Sequence, residues 1–392
     1  MTIGRRLDAA TGHLPAPLAV VDLDALEANA ADLVTRAVGT PIRVASKSVR
    51  VRAVLEKVLA TPGFAGVMAY SVREAVWLAG TGVTDVLVGY PSVDAGGLDA
   101  LAAEPVAAAA VTLMVDDVAQ AELAAKAAAA HGTTLRVCLD VDASLRVGLG
   151  PLRAHLGVRR SPVHTPAEAE ALARAVAQRE GLSVRGVMFY EAQVAGMPDS
   201  SAAVRAVKRL SVRDLARRRG LVVDAVSQAV GHRLDLVNSG GSGSVETSVS
   251  DPTVTEVTAG SGLFVPTLFD AYRSFEPRPA AFFGLDVVRI PASGYATTFG
   301  GGYIASGPPT ASRQPRPVWP AGLTLTPREG AGEVQTPLRV RSGADLRVGD
   351  RVWFRHAKSG EVMERFADVH LVRGEAVEAT VPTYRGEGRT FG

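Results

Sequence analysis

Between residues 42 and 262, eight short apolar runs alternate with longer alanine-rich segments, and this alternation leaves few folds open to the chain. The runs are Ile42–Ser46, Gly66–Ser71, Asp85–Tyr90, Val111–Asp116, Leu135–Asp142, Val184–Tyr190, Leu234–Gly240 and Val254–Gly262. Each is nearly continuous, as expected of a parallel strand buried on both faces. The spacers carry helix-start signals. Ser71 stands three residues before Glu74, and Thr165 is followed by Pro166 and then Glu168, both N-caps with a glutamate in the first turn. Gly181 reads as the stop of the second helix. Eight strands with crossovers over about 230 residues fit a (β/α)8 TIM barrel in number and size. A doubly wound open sheet is the rival.

Ahead of the barrel, Ala19–Asp24 reads as a strand, followed by a helix from near Asp24 with Leu26, Ala30, Leu33 and Val34 at helical spacing. After Glu276 the texture changes: Pro and Gly become frequent and alanine-rich helices vanish. Short β-like runs follow at Phe282–Ile290, Thr336–Val340, Arg351–Phe354 and Val369–Val372. The expectation is a barrel over residues 1–276 and a C-terminal all-β domain over residues 277–392, with the first strand joining the β domain. Ser306–Pro320 contains five prolines and is expected as a loop.

A chain of 392 residues accommodates both domains. Its net charge of +2 is too small to argue for nucleic acid or an anionic membrane surface. No apolar run approaches the roughly 20 residues of a membrane helix. Met1–Pro15 has two arginines with no apolar stretch behind them, so no export signal is read. The single cysteine, Cys138, cannot form an internal disulfide, and a cytoplasmic protein is the expectation.

Barrel enzymes place their chemistry at the C-terminal ends of the strands, and four ends stand out here. The first leads into Ser46-Lys47-Ser48. A lysine held there out of water is a candidate for covalent chemistry with an aldehyde; a solvated lysine is the plain alternative. The seventh ends in Asn238-Ser239-Gly240-Gly241-Ser242-Gly243-Ser244. Its glycines let N–H groups converge on a phosphate and its serines add donors, unless it is merely a flexible turn. The eighth supplies a second glycine loop, Ala259-Gly260-Ser261-Gly262. After the fifth, Arg146 can hold a phenolic oxygen or a carboxylate, or simply pair with Asp140 or Asp142. Tyr190, Glu191 and Gln193 end the sixth, a ring and two polar groups placed to line a cofactor, unless Tyr190 belongs to the core. Arg159 and Arg160, in the loop Leu156–Pro162, capture a substrate carboxylate or form a solvated basic loop.

Taken together, these ends resemble the alanine racemase-like family of pyridoxal 5′-phosphate enzymes, and within it the D-threonine aldolase and D-serine dehydratase branch. The segment Val20–Leu26 is similar to the family's opening strand and helix. Lys47 falls where the family's Schiff-base lysine sits, Asp142–Gly148 resembles its aspartate-to-arginine-glycine segment, and Ser239–Ser244 corresponds to its phosphate loop. The resemblance implies that the cofactor is held by Lys47, Arg146, Tyr190, Ser239, Gly240, Gly241, Ser242, Gly243, Ser244, Thr258, Ser261 and Gly262. It implies a small amino-acid substrate met by Gln193, Arg159 and Arg160, and a homodimer. Gly349-Asp350-Arg351-Val352 and Arg355-His356-Ala357-Lys358 look like the branch's C-terminal metal segment.

Two departures qualify it. The branch's metal segment resembles His-x-Cys or His-x-Asp, whereas Lys358 stands here, and one histidine makes no divalent site. No metal is therefore expected, and His356, Lys358 or Glu361 is left to move protons unaided. In racemases an arginine faces the pyridine nitrogen; Thr258 stands at that place, and a neutral partner favours longer-lived carbanions. The resemblance thus implies a lyase that cleaves or dehydrates a β-hydroxy amino acid of D configuration. The alternatives are a racemase or epimerase, for which Tyr295 in Gly294-Tyr295-Ala296 resembles the second base, and a transferase using an amino-acid carbanion. A non-catalytic cofactor carrier of the same fold is a further alternative, although such carriers lack a large second domain.

Overall fold

The computed structural model describes residues 2–148, 154–197, 199, 201–272, 276, 278–341 and 345–392. By its internal contacts the chain divides into two units.

One unit comprises Leu33–Ser46, Leu59–Ala259 and Phe391–Gly392. Its strands are, in order, Ile42–Ala45, Phe64–Ala69, Val86–Pro91, Val111–Val115, Leu135–Asp140, Leu182–Phe189, Leu236–Ser239 and Glu256–Ala259. They are called the first to eighth barrel strands below. They form a closed barrel, and the eighth pairs in parallel with the first from Val257↔Ile42 to Ala259↔Val44. Closure rules out the open sheet. Met68, Leu87, Met114, Cys138, Met188 and Leu236, from the second to the seventh strand, pack as one cluster, so the barrel is filled rather than hollow.

The capping signals fold as read. Ser71 accepts from the Glu74 N–H ahead of helix Val72–Gly80, and Thr165 with Glu168 forms a reciprocal capping box ahead of helix Pro166–Ala177. Gly181 is not the stop of that helix, which is capped by Gln178. Its φ of +77° instead serves the turn into the sixth strand. Two elements went unread: the hairpin Leu145–Val147 with Ala154–Leu156, and the 29-residue helix Ala202–Val230.

The other unit comprises Met1–Asp32, Lys47–Val58 and Gly260–Thr390. Its main feature is a nine-stranded sheet. Leu18–Asp22 lies between Ala281–Ala292, antiparallel, and Asp368–Arg373, parallel, and all five of its residues are buried. Residue 277, where the second domain was expected to begin, lies outside the described residues. The proline-rich stretch is a correction. Arg316–Trp319, expected as loop, is a strand paired antiparallel with Arg351–Arg355. Among the described residues it pairs on that side only, and an edge position tolerates Pro317, which has no N–H to donate. The sequence reading also missed helix Ile3–Thr11, whose Leu7 and Ala10 pack against Leu18, Val20, Phe282 and Trp353. Among the described residues no helix is long and apolar enough to cross a membrane.

Candidate active site

In the barrel unit, the end of the fifth strand is organised around Asp142. Arg146 Nη2 donates to Asp142 Oδ2 at 2.6 Å and Arg146 Nε donates at 3.1 Å. Ser144 donates to the same carboxylate from its N–H and its hydroxyl, and His164 Nδ1 lies 3.2 Å away. Burial works against the charged form of Asp142, and hydrogen bonds from His164, Ser144 and Arg146 outweigh it, holding the carboxyl well below the usual range. From helix Ala202–Val230, buried Arg218 donates to the carbonyls of Asp142, Ser144 and His164. Arg146 thus pairs with Asp142, one of the two outcomes the sequence left open, and is held at a set angle.

Beside it, the Arg160 guanidinium lies 5.8 Å from the ring centre of Tyr90 and 5.3 Å from that of Tyr190, within the range of a cation–π contact. These three side chains line one cavity with Asp116, Gln120 and Asp140. Arg159 is exposed and lines a neighbouring cleft with Arg146, His155 and Arg160. Burial raises the Tyr190 phenol above its ordinary value, so it is protonated at neutral pH.

Asp140, 7% exposed, is pushed up to about 7 by burial and then by the charge of Asp116, with Arg160 opposing. Its folded-state value lies above its unfolded one, so the folded protein binds this proton more tightly, and its contribution to stability falls as pH rises from about 4 to about 7. Asp140→Asn should therefore be more stable than wild type at pH 8, by roughly 1–3 kcal/mol, with little difference at pH 4. Urea melts of the apoprotein at several pH values check this, and parallel pH profiles for the two proteins would refute it.

The seventh-strand loop encloses one of the polar groups that end the sixth strand. Glu191 is 2% exposed. Its carboxylate lies 3.0 Å from Ser239 Oγ and accepts from the Gly240 N–H at 3.2 Å, Ser244 Oγ at 3.0 Å and Ser248 Oγ. Ser239 Oγ also accepts from Arg219 at 2.9 Å, and Arg219 pairs with Asp251. The Ser239 and Ser244 hydroxyls, expected to reach a phosphate, are turned to this carboxylate instead. Gly240 has φ +87°, and a Cβ on Gly241 would stand 2.8 Å from Ala195 Cβ and 3.5 Å from the Tyr190 ring, so the chain passes too close there for a side chain. The buried Ser242 carbonyl accepts from Arg36. On the eighth strand, Thr258 Oγ1 accepts from Asn238 at 2.8 Å, which leaves its own proton to donate. Gln193 Nε2 donates to the Ala143 carbonyl at 2.7 Å, while its buried Oε1 has no hydrogen-bond partner among the described residues.

In the β-rich unit, Lys47 occupies the short turn Ser46–Ser48, directly beyond the last residue of the first barrel strand in the chain. Its neighbour Ser48 meets Ser261 hydroxyl to hydroxyl at 3.1 Å, and the Ser261 carbonyl accepts from Ser359 at 3.3 Å. Gly262 follows in the turn of helix Ser261–Phe264. Gly360 has φ +89°, and a Cβ there would stand 1.8 Å from the Lys47 carbonyl oxygen. The C-terminal segment therefore packs directly on the lysine's backbone.

His356 and Lys358, expected as proton carriers, lie in the same unit as Lys47. His356 is 2% exposed and packs edge-on to Phe264. Burial, then the charge of Arg355, lowers it to about 4, so it is neutral at pH 7. Lys358 is exposed and pairs with Glu361 at 3.0 Å while donating to Ser306. Tyr295 is 40% exposed at the start of strand Tyr295–Phe299. Among the described residues no group of three or more His, Cys, Asp or Glu side chains is placed to hold a metal.

The family model for alanine racemase, N-terminal domain, matches residues 21–266. The chain belongs to the alanine racemase N-terminal domain family. A 3-hydroxy-D-aspartate aldolase of Paracoccus denitrificans (strain Pd 1222) is 29% identical to this family member over 258 residues, covering 64% of this chain and 61% of that protein. A second 3-hydroxy-D-aspartate aldolase from Paracoccus denitrificans is 30% identical over 225 residues, covering 55% and 54%. The matched part thus spans less than two thirds of either curated relative. The fold of D-threonine aldolase from Filomicrobium marinum is similar, with a TM-score of 0.79 at 22% identity over 95% of this chain and 96% of that one. D-threo-3-hydroxyaspartate dehydratase from Delftia sp. HT23 has a TM-score of 0.72 at 20% identity over 94% and 97%. At these identities the alanine racemase-like architecture is what is shared.

Proposed function

We propose that this family member is a pyridoxal 5′-phosphate-dependent lyase that cleaves or dehydrates a β-hydroxy amino acid of D configuration. The observation that carries it is Lys47 immediately beyond the C-terminal end of the first barrel strand, in a chain whose curated relatives are named as aldolases of such a substrate. The donor set suits the cofactor. Gly241 passes against the Tyr190 ring where no Cβ fits, the Thr258 hydroxyl keeps a proton to donate, and Gln193 Oε1 is a buried acceptor without a partner among the described residues.

Lys47 makes the covalent attachment. Arg146, angled by Asp142, is assigned the phenolic oxygen, Thr258 the ring nitrogen and Tyr190 one face of the ring. The backbone of Gly240–Gly243, Ser242, and the turn Ser261–Gly262 are assigned the phosphate. When bound, the cofactor withdraws electrons from the bonds of the substrate α-carbon. Arg160, with its guanidinium face against two rings, is assigned the substrate carboxylate, with Arg159 at the cleft beside it and Gln193 as a further polar contact. No step is assigned to a metal, and the homodimer remains part of this proposal.

The test is to incubate the holoenzyme, with EDTA present, with D- and L-forms of β-hydroxy amino acids, reading aldehyde, keto acid and chirality separately. Product from the D-forms alone is expected; racemised substrate with neither product would replace the lyase by the racemase. Arg160→Gln should raise KM by about tenfold or more with a smaller change in kcat, because a charged hydrogen bond to the bound carboxylate is worth about 1.5–3 kcal/mol. Wild-type KM in this variant and in Arg159→Gln would return both arginines to a solvated loop.

A further inference from the structure

An anion site does not ordinarily enclose a carboxylate, yet Glu191 sits within the loop that the reading above assigns to the cofactor phosphate. Its carboxylate gathers donors from three places: Ser239 at the end of the seventh strand, Gly240 and Ser244 in the loop, and Ser248 at the end of the short helix Val245–Ser248. Gly241 and Ser244 close the loop on itself, with the Gly241 N–H donating to Ser244 Oγ at 3.1 Å and the Ser244 N–H donating to the Gly241 carbonyl at 2.9 Å. Behind it, Arg219 joins Ser239 to Asp251. A buried carboxylate is tolerated only with such a set of donors. Once these donors are committed, the loop's shape is set by Glu191 rather than by any ligand.

We infer that Glu191 is a positioning residue for the phosphate end of the cofactor site, acting by holding the Ser239–Ser244 loop in its binding conformation. The inference rests on the cofactor assignment proposed above. Ser239 and Ser244 then serve the phosphate indirectly, by gripping Glu191, and the direct contacts fall to the rest of the loop. The choice of Glu over Gln follows from the donors. A glutamine can keep its oxygen toward the Gly240 N–H, but its amide nitrogen then faces Ser244 and Ser248, whose hydroxyls must stop donating to it and reverse.

Comparing two ligands separates this role from a general contribution to folding. Pyridoxal 5′-phosphate and unphosphorylated pyridoxal differ only at the phosphate, and their dissociation constants can be read on the apoprotein by absorbance titration. Glu191→Gln should weaken the phosphorylated ligand by about 10–100-fold, the range of one or two hydrogen bonds to a charged group. Pyridoxal affinity should change by less than about threefold, and inorganic phosphate should compete less well against the phosphorylated ligand. Ser248→Ala removes one grip on the same carboxylate without touching the loop itself, and should show the same selectivity with a smaller loss; it carries the test if Glu191→Gln does not fold. Equal weakening of both ligands, or of neither, overturns the positioning role. If wild-type protein binds neither ligand, the cofactor assignment fails and takes this inference with it; if it binds both normally and only the selectivity is unmoved, the inference alone is lost.

Discussion

Lys47→Ala should lower turnover by at least about a thousandfold, the scale expected when a covalent catalyst is removed from its site. Borohydride reduction of the wild-type holoenzyme should leave the cofactor on one peptide, the one containing Lys47. The lysine's backbone is unusually well held for a residue in a three-residue turn. Arg50 Nε donates to its carbonyl at 3.3 Å, and Gly360, with φ +89°, leaves no room for a Cβ against the same oxygen. Two consequences follow. Lys47→Ala should fold and melt like wild type, since the side chain is only half-buried and the backbone contacts remain. Gly360→Ala should cost activity without altering any side chain of the site, because the alanine must either push the Lys47 carbonyl aside or take up a strained left-handed conformation. A label found on another lysine, or an alanine variant that retains wild-type turnover, would end the assignment.

The place of Lys47 beyond a strand end was legible because the first strand is a short run, apolar but for Arg43, that ends beside it. The same held for all eight strand ends: burial on both faces writes a continuous pattern that survives without any knowledge of the neighbours. What failed was set by neighbours far away in the chain. Arg316–Trp319 looks like loop because proline is counted against a strand, and only its edge position beside Arg351–Arg355 makes it one. Glu191 directly follows an apolar run and reads as a polar strand end; nothing local reveals that Ser239, Gly240, Ser244 and Ser248 converge on it from about fifty residues downstream. The serines were read correctly as donors, but the group they serve belongs to the protein. The neutral state of His356 was hidden similarly, since the burial that sets it comes in part from Phe264, far off in sequence. Asp140 shows the converse. Its place at a strand end was plain, while the burial that chiefly raises its pKa, and the nearness of Asp116 that adds to it, depend on how the fourth and fifth strands lie side by side.

The largest effect on stability should come from a residue that the sequence presents as a flaw. Arg43 interrupts the apolar first strand, and in the barrel it is fully buried. Its Nε donates to Glu256 Oε1 at 2.6 Å and its Nη2 to Glu256 Oε2 at 2.8 Å, a paired contact to the neighbouring eighth strand. Nη2 also reaches Asp85 at 2.9 Å, and Nη1 donates to the Asp85 carbonyl at 3.2 Å. Gly66 is fitted to it, since a Cβ there would stand 2.5 Å from Nη1. Arg43 thus bridges the seam at which the barrel closes. Asp85 is lowered to about 2; burial opposes this, but hydrogen bonding to Arg185 and the charge of Arg43 prevail. Arg43→Met keeps the volume but strands Glu256, while Asp85 keeps its pair with Arg185, and removing one partner of a buried ion pair costs about 3–5 kcal/mol. The wild-type contribution from Asp85 is present above about pH 4 and is lost as pH falls toward 2. In Arg43→Met the order is reversed. Protonation relieves the stranded charge, so the deficit against wild type should be largest at neutral pH and narrow on acidification. The double variant Arg43→Met, Glu256→Gln should recover part of the loss, because it removes a charge that no longer has its partner. Urea denaturation of the three proteins between pH 5 and pH 8 measures this. A single variant within about 1 kcal/mol of wild type at neutral pH would mean that the seam is held by its backbone ladder and hydrophobic packing, and that the buried arginine adds nothing to them.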